Sequence, residues 1–355
     1  MKKQSPWFDF ILKEWLLLGA ASGLLLTSLH IKHLPYYSKS DLQVLFVLFA
    51  LFVTVKGIEN SGVLRKIALS VEKGKFITFK LVITTFFLSM FVTNDIALIL
   101  MIPLTLILNI NRKDIVVILE AMSANAGSAL TPIGNPQNLF IYWYYNIKPS
   151  EFIYAIMPFS VVFLVLLLII SMFIKTRNLQ DIKYQEIKIK SSSYIYLMFL
   201  VIIILTVLHI LPLSVGALVI IYTLIFDRKS MKIDYSLLFT FLLFFGLAAN
   251  MQEVLPVKLK YSGHVFTFAA ISSQVMSNVP AALLISKFTG QWKALLWGVN
   301  VGGFGSLIGS FANVIAYKLY ITSKDRNSGY LFLTKFLVFG YCAFFIGVVL
   351  YLVIY

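Results

Sequence analysis

The chain alternates long apolar runs with short polar interruptions, and the runs have the length of membrane-spanning helices. A helix needs about 20 apolar residues to cross a bilayer. The mixed, basic segment 58–75 is instead typical of a helix lying at the membrane interface. Seven runs predict uninterrupted spans: 15–29, 42–55, 152–174, 194–210, 213–226, 236–249 and 330–354.

A further apolar region, residues 113–146, contains Gly127, Pro132, Gly134 and Pro136, which a continuous helix disfavours. Polar residues accompany these helix breakers. At membrane depth, irregular backbone is tolerated only where protein buries it or where it lines a cavity. The pattern therefore predicts a broken helix, in which a polar turn separates two helical halves.

A second copy of this pattern occurs 175 residues later and predicts another broken helix over 292–320. Seven positions match without a gap, and paired broken helices indicate the binding site of a transporter. The matches are Asn125 with Asn300, Gly127 with Gly302, Thr131 with Ser306, Ile133 with Ile308, Gly134 with Gly309, Asn135 with Ser310 and Asn138 with Asn313.

An apolar hairpin is predicted before each broken helix, over 76–108 and 262–288. The first is too long for one untilted span and is interrupted at Thr93-Asn94-Asp95, while the second is interrupted at Ser277-Asn278. We interpret both as re-entrant hairpins with polar tips. One long, tilted and kinked helix is the alternative for the first.

The order of span, hairpin, broken helix and span occurs twice, in residues 1–174 and 193–355. A polar linker at 175–192 divides the halves. We count nine crossings, so an odd number separates the copies and the second enters the membrane upside down. The predicted fold is an all-α polytopic membrane protein with two inverted-topology repeats.

Composition agrees with this class, because 59% of the 355 residues are hydrophobic and only 13% are charged, against about 25% charged in a soluble domain. With the N-terminus cytoplasmic and the C-terminus outside, 23 of the 30 Lys and Arg residues fall on the cytoplasmic side. Because the basic residues flank apolar spans, nucleic-acid binding is disfavoured. No nucleophile–base pair or phosphate loop suggests an enzyme, and no cofactor is expected.

The hairpin tips and helix breaks supply amides, hydroxyls and free backbone groups, which suit a small anion and Na⁺. Thr93, Asn94, Asn125, Asn278 and Asn300 are the candidates for holding Na⁺. The candidate binding residues are Thr93, Asn94, Asp95, Asn125, Gly127, Thr131, Pro132, Gly134, Asn135, Asn138, Ser277, Asn278, Asn300, Gly302, Gly303, Ser306, Gly309, Ser310 and Asn313.

Two acidic residues, Asp95 and Glu120, are candidates for ion coupling. No Lys or Arg lies between Lys80 and Arg112, so an anion would meet no cationic side chain there and Asp95 would repel it. Na⁺, or a proton on Asp95, would supply the missing charge. The alternatives are that Asp95 caps the second hairpin helix and that Glu120 has only a polar partner in the bundle.

Thr-Asn-Asp-Ile-Ala at 93–97, Thr-Pro-Ile-Gly-Asn-Pro-Gln-Asn at 131–138 and Ser-Asn-Val-Pro-Ala at 277–281 resemble the ion transporter superfamily. This group includes divalent anion–sodium symporters, citrate transporters, arsenite permeases and sodium–proton antiporters. The resemblance implies substrate and ion binding where hairpin tips meet helix breaks, often in a homodimer. The symporters usually carry Ser-Asn-Thr at both tips, and this chain departs from that pattern.

These observations predict a secondary active transporter in a prokaryotic inner (plasma) membrane. We expect it to move a small anion, a di- or tricarboxylate such as citrate or succinate, with Na⁺ or H⁺ by alternating access. The alternative is a metalloid-oxyanion permease of the arsenite type, or a Na⁺/H⁺ antiporter.

Overall fold

The computed structural model describes residues 14–70, 76–108, 110–174, 190–255, 257–323 and 329–355, where helices joined by turns and loops are present and strands are absent. Two 3-10 turns occur at Leu213–Val215 and Arg228–Met231. The sixteen helices are α1 Trp15–Ile31, α2 Lys39–Ser61, α3 Val63–Ser70, α4 Ile77–Val92, α5 Asn94–Ile107, α6 Lys113–Ser128, α7 Pro136–Tyr144, α8 Pro149–Phe173, α9 Ser192–Val207, α10 Gly216–Phe226, α11 Tyr235–Val254, α12 Ser262–Met276, α13 Asn278–Ser286, α14 Trp292–Gly302, α15 Phe311–Thr322 and α16 Gly329–Ile354.

Four of these helices, α2, α8, α11 and α16, are long and apolar enough to cross a membrane. Several shorter apolar helices accompany them. The chain is therefore an all-α polytopic membrane protein, as predicted. The count of nine crossings and the inverted orientation of the halves stay predictions.

The predicted interfacial helix differs from the structure at its start. Residues 58–61 continue α2, which begins at a capping box formed by Ser38 and Asp41 and ends at Gly62 in the left-handed conformation. Only α3 remains of the predicted segment, and residues 71–75 lie outside the described part. Most of the predicted linker, residues 175–189, also lies outside it.

Both predicted hairpins are pairs of helices that turn at a single residue. Helices α4 and α5 pack against each other, as do α12 and α13, so the alternative of one kinked helix is wrong. At the turns, Thr93 has φ 76° and ψ 152°, and Ser277 has φ 73° and ψ 156°. Residues other than glycine rarely occupy this region, at a cost of about 1–3 kcal/mol each.

The hairpins and broken helices form the centre of the molecule. Helix α4 packs along α6, and α12 packs along α14, while α1 packs on α11 and α2 on α9. Lipid tails provide no hydrophobic driving force between helices, so association depends on close packing of small residues. The glycines of α6 and α14 therefore determine how closely each hairpin approaches its broken helix.

Candidate functional site

Each hairpin tip is fastened to the break of its own broken helix by the same two hydrogen bonds. The Asn94 N–H donates to the Gly134 carbonyl at 3.1 Å, and the Asn278 N–H donates to the Gly309 carbonyl at 3.0 Å. The Thr131 hydroxyl donates to the Met90 carbonyl at 2.7 Å. In the other half the Ser306 hydroxyl donates to the Gln274 carbonyl at 3.0 Å. The strained residues Thr93 and Ser277 immediately precede Asn94 and Asn278. The hydrogen bonds of these two asparagines therefore account for the strained turns.

The predicted glycines have a packing role. A Cβ at Gly127 would lie 2.2 Å from the Phe86 carbonyl oxygen, and one at Gly302 would lie 2.5 Å from Ser273 Cβ. Inside the breaks, a Cβ at Gly134 would lie 2.2 Å from the Ser128 carbonyl oxygen, and one at Gly309 would lie 2.6 Å from that of Gly302. None of these distances admits a Cβ atom, so these glycines are needed for backbone contact.

Four buried asparagines join the two halves of the chain in two reciprocal pairs. Asn125 Nδ2 donates to Asn313 Oδ1 at 2.8 Å, and Asn300 Nδ2 donates to Asn138 Oδ1 at 2.9 Å. The 175-residue shift converts one pair into the other. The acceptor asparagines also hold the breaks together, because Asn138 Nδ2 donates to the Ala129 carbonyl and Asn313 Nδ2 to the Gly303 carbonyl, both at 2.9 Å.

Asn94 and Ser310 complete a cluster around Asn125. Asn94 Nδ2 and Ser310 Oγ both donate to Asn125 Oδ1 at 3.1 Å. Asn135, which matches Ser310 in sequence, instead caps α7 by accepting from the Asn138 N–H at 3.1 Å. Asn135 and Ser310 therefore make different hydrogen bonds although they occupy matching positions in the two breaks.

The candidate Na⁺ ligands fall into two groups. Thr93 precedes Asn94 beside Asn125, whereas Asn278 and Asn300 adjoin Gly303. Gly303 N–H donates to the Asn300 carbonyl at 3.2 Å, and Asn278 Nδ2 lies 3.1 Å from where a Gly303 Cβ would be. Pro132 is buried within the first break. The first group offers hydroxyl and amide oxygens and the second offers amide and carbonyl oxygens, and both are donor sets that suit a hard cation.

Asp95 lies between this polar centre and a cavity of about 320 Å³. Its N–H donates to Asn94 Oδ1 at 3.0 Å. Its Oδ1 is buried and has no hydrogen-bond partner among the described residues. Among the described residues, no backbone N–H is seen to donate to this oxygen, so the structure does not support the capping alternative.

The cavity also contains charged residues that the sequence reasoning missed. Lys56 and Glu59 come from the end of α2, and Lys232 and Asp234 come from the turn before α11. The expectation that an anion would meet no cationic side chain is therefore wrong for the approach to the site. Lys56 Nζ is paired with Glu59 Oε2 at 2.9 Å. Only the basic character of segments 56–66 and 228–232 hinted at this arrangement.

Glu120 lies apart from the cavity and is completely buried. Its Oε1 accepts a hydrogen bond from the Thr105 hydroxyl at 2.8 Å, and its Oε2 has no partner in the described part of the chain. The predicted polar partner is thus present. A role in proton binding stays a prediction.

Paired hairpins, paired helix breaks and a polar centre inside a helical membrane protein define a transporter. The chain belongs to the citrate transporter family, whose model matches residues 10–291. It is 34% identical over 337 residues to an uncharacterized transporter of Methanocaldococcus jannaschii, covering 90% of each chain. It is 30% identical over 326 residues to an inner membrane protein of Escherichia coli, covering 82% of this chain and 84% of that one. A silicon efflux transporter of Oryza sativa is 33% identical over 130 residues, or 34% of this chain and 27% of that one. The resemblance to the ion transporter superfamily is confirmed.

Proposed function

We propose that this protein is a secondary active transporter that moves a small carboxylate anion, such as citrate or succinate, together with Na⁺ or H⁺. The observation that carries this proposal is the position of Asp95. Asp95 follows the cluster residue Asn94, donates its N–H to Asn94 Oδ1, and also lines the charged cavity. An acid at this position makes anion binding unfavourable unless a cation or proton accompanies the anion.

The polar centre supports the same mechanism. The side chains of Asn125 and Asn313 are hydrogen-bonded to each other, as are those of Asn300 and Asn138. A substrate that binds these asparagines must therefore replace hydrogen bonds that already exist between them. Such exchange suits a site that closes when empty and opens to either side in turn. Half-helix N-termini at Pro136 and Phe311 provide partial positive charge for an anion.

The cavity lies on the predicted cytoplasmic side, because Lys56 and Lys232 belong to segments assigned there by the distribution of Lys and Arg. We therefore infer an inward-facing state. We also propose a homodimer in a prokaryotic plasma membrane, with the N-terminus cytoplasmic and the C-terminus outside. Accessibility of a tag fused after Tyr355 to a reagent outside intact cells tests the orientation.

The deciding experiment measures uptake of labelled citrate and succinate into proteoliposomes with an inward Na⁺ gradient, an inward H⁺ gradient or neither. We expect accumulation under one gradient and only equilibration without it. Protein-free liposomes and a collapsed gradient are the controls. No uptake under any gradient would contradict the carboxylate proposal.

A metalloid permease or Na⁺/H⁺ antiporter is the second candidate. Two observations favour the permease: the asparagine clusters contain no cationic side chain among the described residues, and one relative is named a silicon efflux transporter. A neutral hydroxylated acid would fit amides and hydroxyls without charge compensation. Efflux of arsenite or silicic acid from loaded vesicles, and internal pH after Na⁺ addition, distinguish these activities.

A further inference from the structure

A second charged cavity, of about 440 Å³, lies at the opposite end of α7 from the helix break. Its walls come from the end of α7, the end of α11, residues 258–260 and residues 286–291. The distribution of Lys and Arg assigns these segments to the outer face. This cavity is therefore separate from the one that contains Asp95.

Hydrogen bonds hold the walls of this outer cavity in place. The Tyr145 hydroxyl donates to the Thr289 carbonyl at 2.9 Å and to that of Ser286 at 3.1 Å. The Leu259 N–H donates to the Phe288 carbonyl at 2.7 Å, and the Thr289 hydroxyl donates to the Leu259 carbonyl at 2.9 Å. The two loops thus form one surface.

Three lysines line the outer cavity, namely Lys258, Lys260 and Lys287, and no acidic residue lines it. Lys287 Nζ lies 3.4 Å from Asp41 Oδ1 and over the ring of Tyr144. The other acidic residue nearby, Glu253, pairs with His33 at 3.1 Å. Within the described residues, no carboxylate is within ion-pair distance of Lys258 or Lys260. Among the described residues, the ammonium groups of Lys258 and Lys260 therefore have no ion-pair partner, whereas that of Lys287 has one.

We propose that this outer cavity is an anion-binding site for a dissolved oxyanion with two or more negative charges, a polycarboxylate or a phosphate. Lys258 and Lys260 supply the charge, and the amides of Gln252 and Gln291, which also line the cavity, supply hydrogen-bond donors. Gln291 Nε2 donates one of its two hydrogens to the Lys260 carbonyl at 3.2 Å, which leaves the other for an anion. A monovalent anion would neutralise only one of these two ammonium groups. The preference for multivalent anions follows from the presence of two unpaired lysines in one cavity. The site does not depend on the proposed transport activity.

The test measures how fast an amine-specific acylating reagent modifies each lysine of the full-length protein in detergent, using mass spectrometry. Citrate, inorganic phosphate and chloride are compared at equal ionic strength. We expect citrate and phosphate to slow modification of Lys258 and Lys260 at least ~3-fold relative to chloride. Lys148, an exposed outer-face lysine that lies outside the cavity, is the control within each sample and should change little.

Two variants sharpen this measurement. Lys258→Gln should raise the citrate concentration that half-protects Lys260 by about 5-fold, since one of the paired charges is lost. Lys148→Gln should leave it unchanged. Equal protection at Lys148, or no protection at Lys258 and Lys260, would overturn the proposal. These readouts use no transport, so they can succeed or fail independently of the uptake assay.

A lipid phosphate group offers the same chemistry from a different source. The protein is therefore also measured in nanodiscs made of neutral lipid or containing phosphatidylglycerol, without added anion. One outcome is that the anionic lipid slows modification of Lys258 and Lys260, whereas citrate and phosphate do not. That outcome would identify a lipid as the ligand and contradict the proposal. Equal rates in both nanodiscs, with protection by citrate, would support it.

Discussion

At the first hairpin tip the residue after the asparagine is Asp95, whereas at the second it is Val279. Both tips are nonetheless anchored alike, since each tip asparagine N–H donates to the carbonyl of a matching glycine. The halves therefore share this anchoring of a hairpin tip to a helix break, which we call the frame, but they differ in the charge at the tip. The proposed function therefore assigns ion coupling to the first half alone.

A second difference concerns how each tip is secured. Gln274 Nε2 donates to the Gly302 carbonyl at 2.7 Å, and Gln274 Oε1 accepts from the Ser306 N–H at 2.7 Å. The matching residue in the first half is Met90, which offers only its backbone carbonyl. The second break also contains Gly305 in the left-handed conformation. The second half thus needs a side chain to satisfy backbone groups there.

The largest expected effect tests the shared frame. Gly127→Ala and Gly302→Ala should each lower the free energy of unfolding by about 3 kcal/mol, because a Cβ meets atoms of the neighbouring hairpin helix. Gly263→Ala is the control, since nothing lies within 4 Å of its added Cβ. Thermal unfolding in detergent measures all three. A loss in only one half would contradict a shared frame.

The asparagine pairs between halves should have the next largest effect. Asn313→Ala and Asn138→Ala should each cost about 1–3 kcal/mol, because each leaves a buried donor and carbonyl groups unpaired. A double-mutant cycle between Asn125 and Asn313, read by denaturant unfolding, should give a coupling of about 1 kcal/mol. Strict additivity would show that this pair does not join the halves.

The smallest effect isolates the difference between the halves. Gln274→Met should lower stability by about 1–2 kcal/mol, since the Ser306 N–H and the Gly302 carbonyl lose their partner. Met90→Gln should give no comparable gain, because the Gly127 carbonyl, which matches that of Gly302, already accepts from the Leu130 N–H at 3.1 Å. Unfolding midpoints compare the two variants. A similar change in both would contradict the asymmetry.

The sequence predicted the frame because its signals are local. Glycines, prolines and polar residues inside apolar runs located both tips and both breaks. The 175-residue match paired the asparagines and glycines that make equivalent contacts, but it also paired Asn135 with Ser310, which make different ones. Asn125 with Asn313, by contrast, is a contact across 188 positions, which no local pattern reveals. Lys56, Lys232 and Asp234 share a cavity with Asp95 only in the folded chain, where α2 packs against the 3-10 turn that precedes α11. The sequence gives one sign of the role of Gln274, namely that it is an amide residue within an apolar hairpin helix.

Asp95→Asn tests the central claim, that Asp95 couples anion movement to a cation, most directly. The measurement is the ion gradient at which net substrate flux through proteoliposomes stops, which gives the stoichiometry. Asp234→Asn is the matched control, because Asp234 lines the same cavity but serves as the α11 cap, a role that asparagine retains. We predict that Asp95→Asn abolishes gradient-driven accumulation while Asp234→Asn preserves it. Unchanged stoichiometry in Asp95→Asn would contradict the claim.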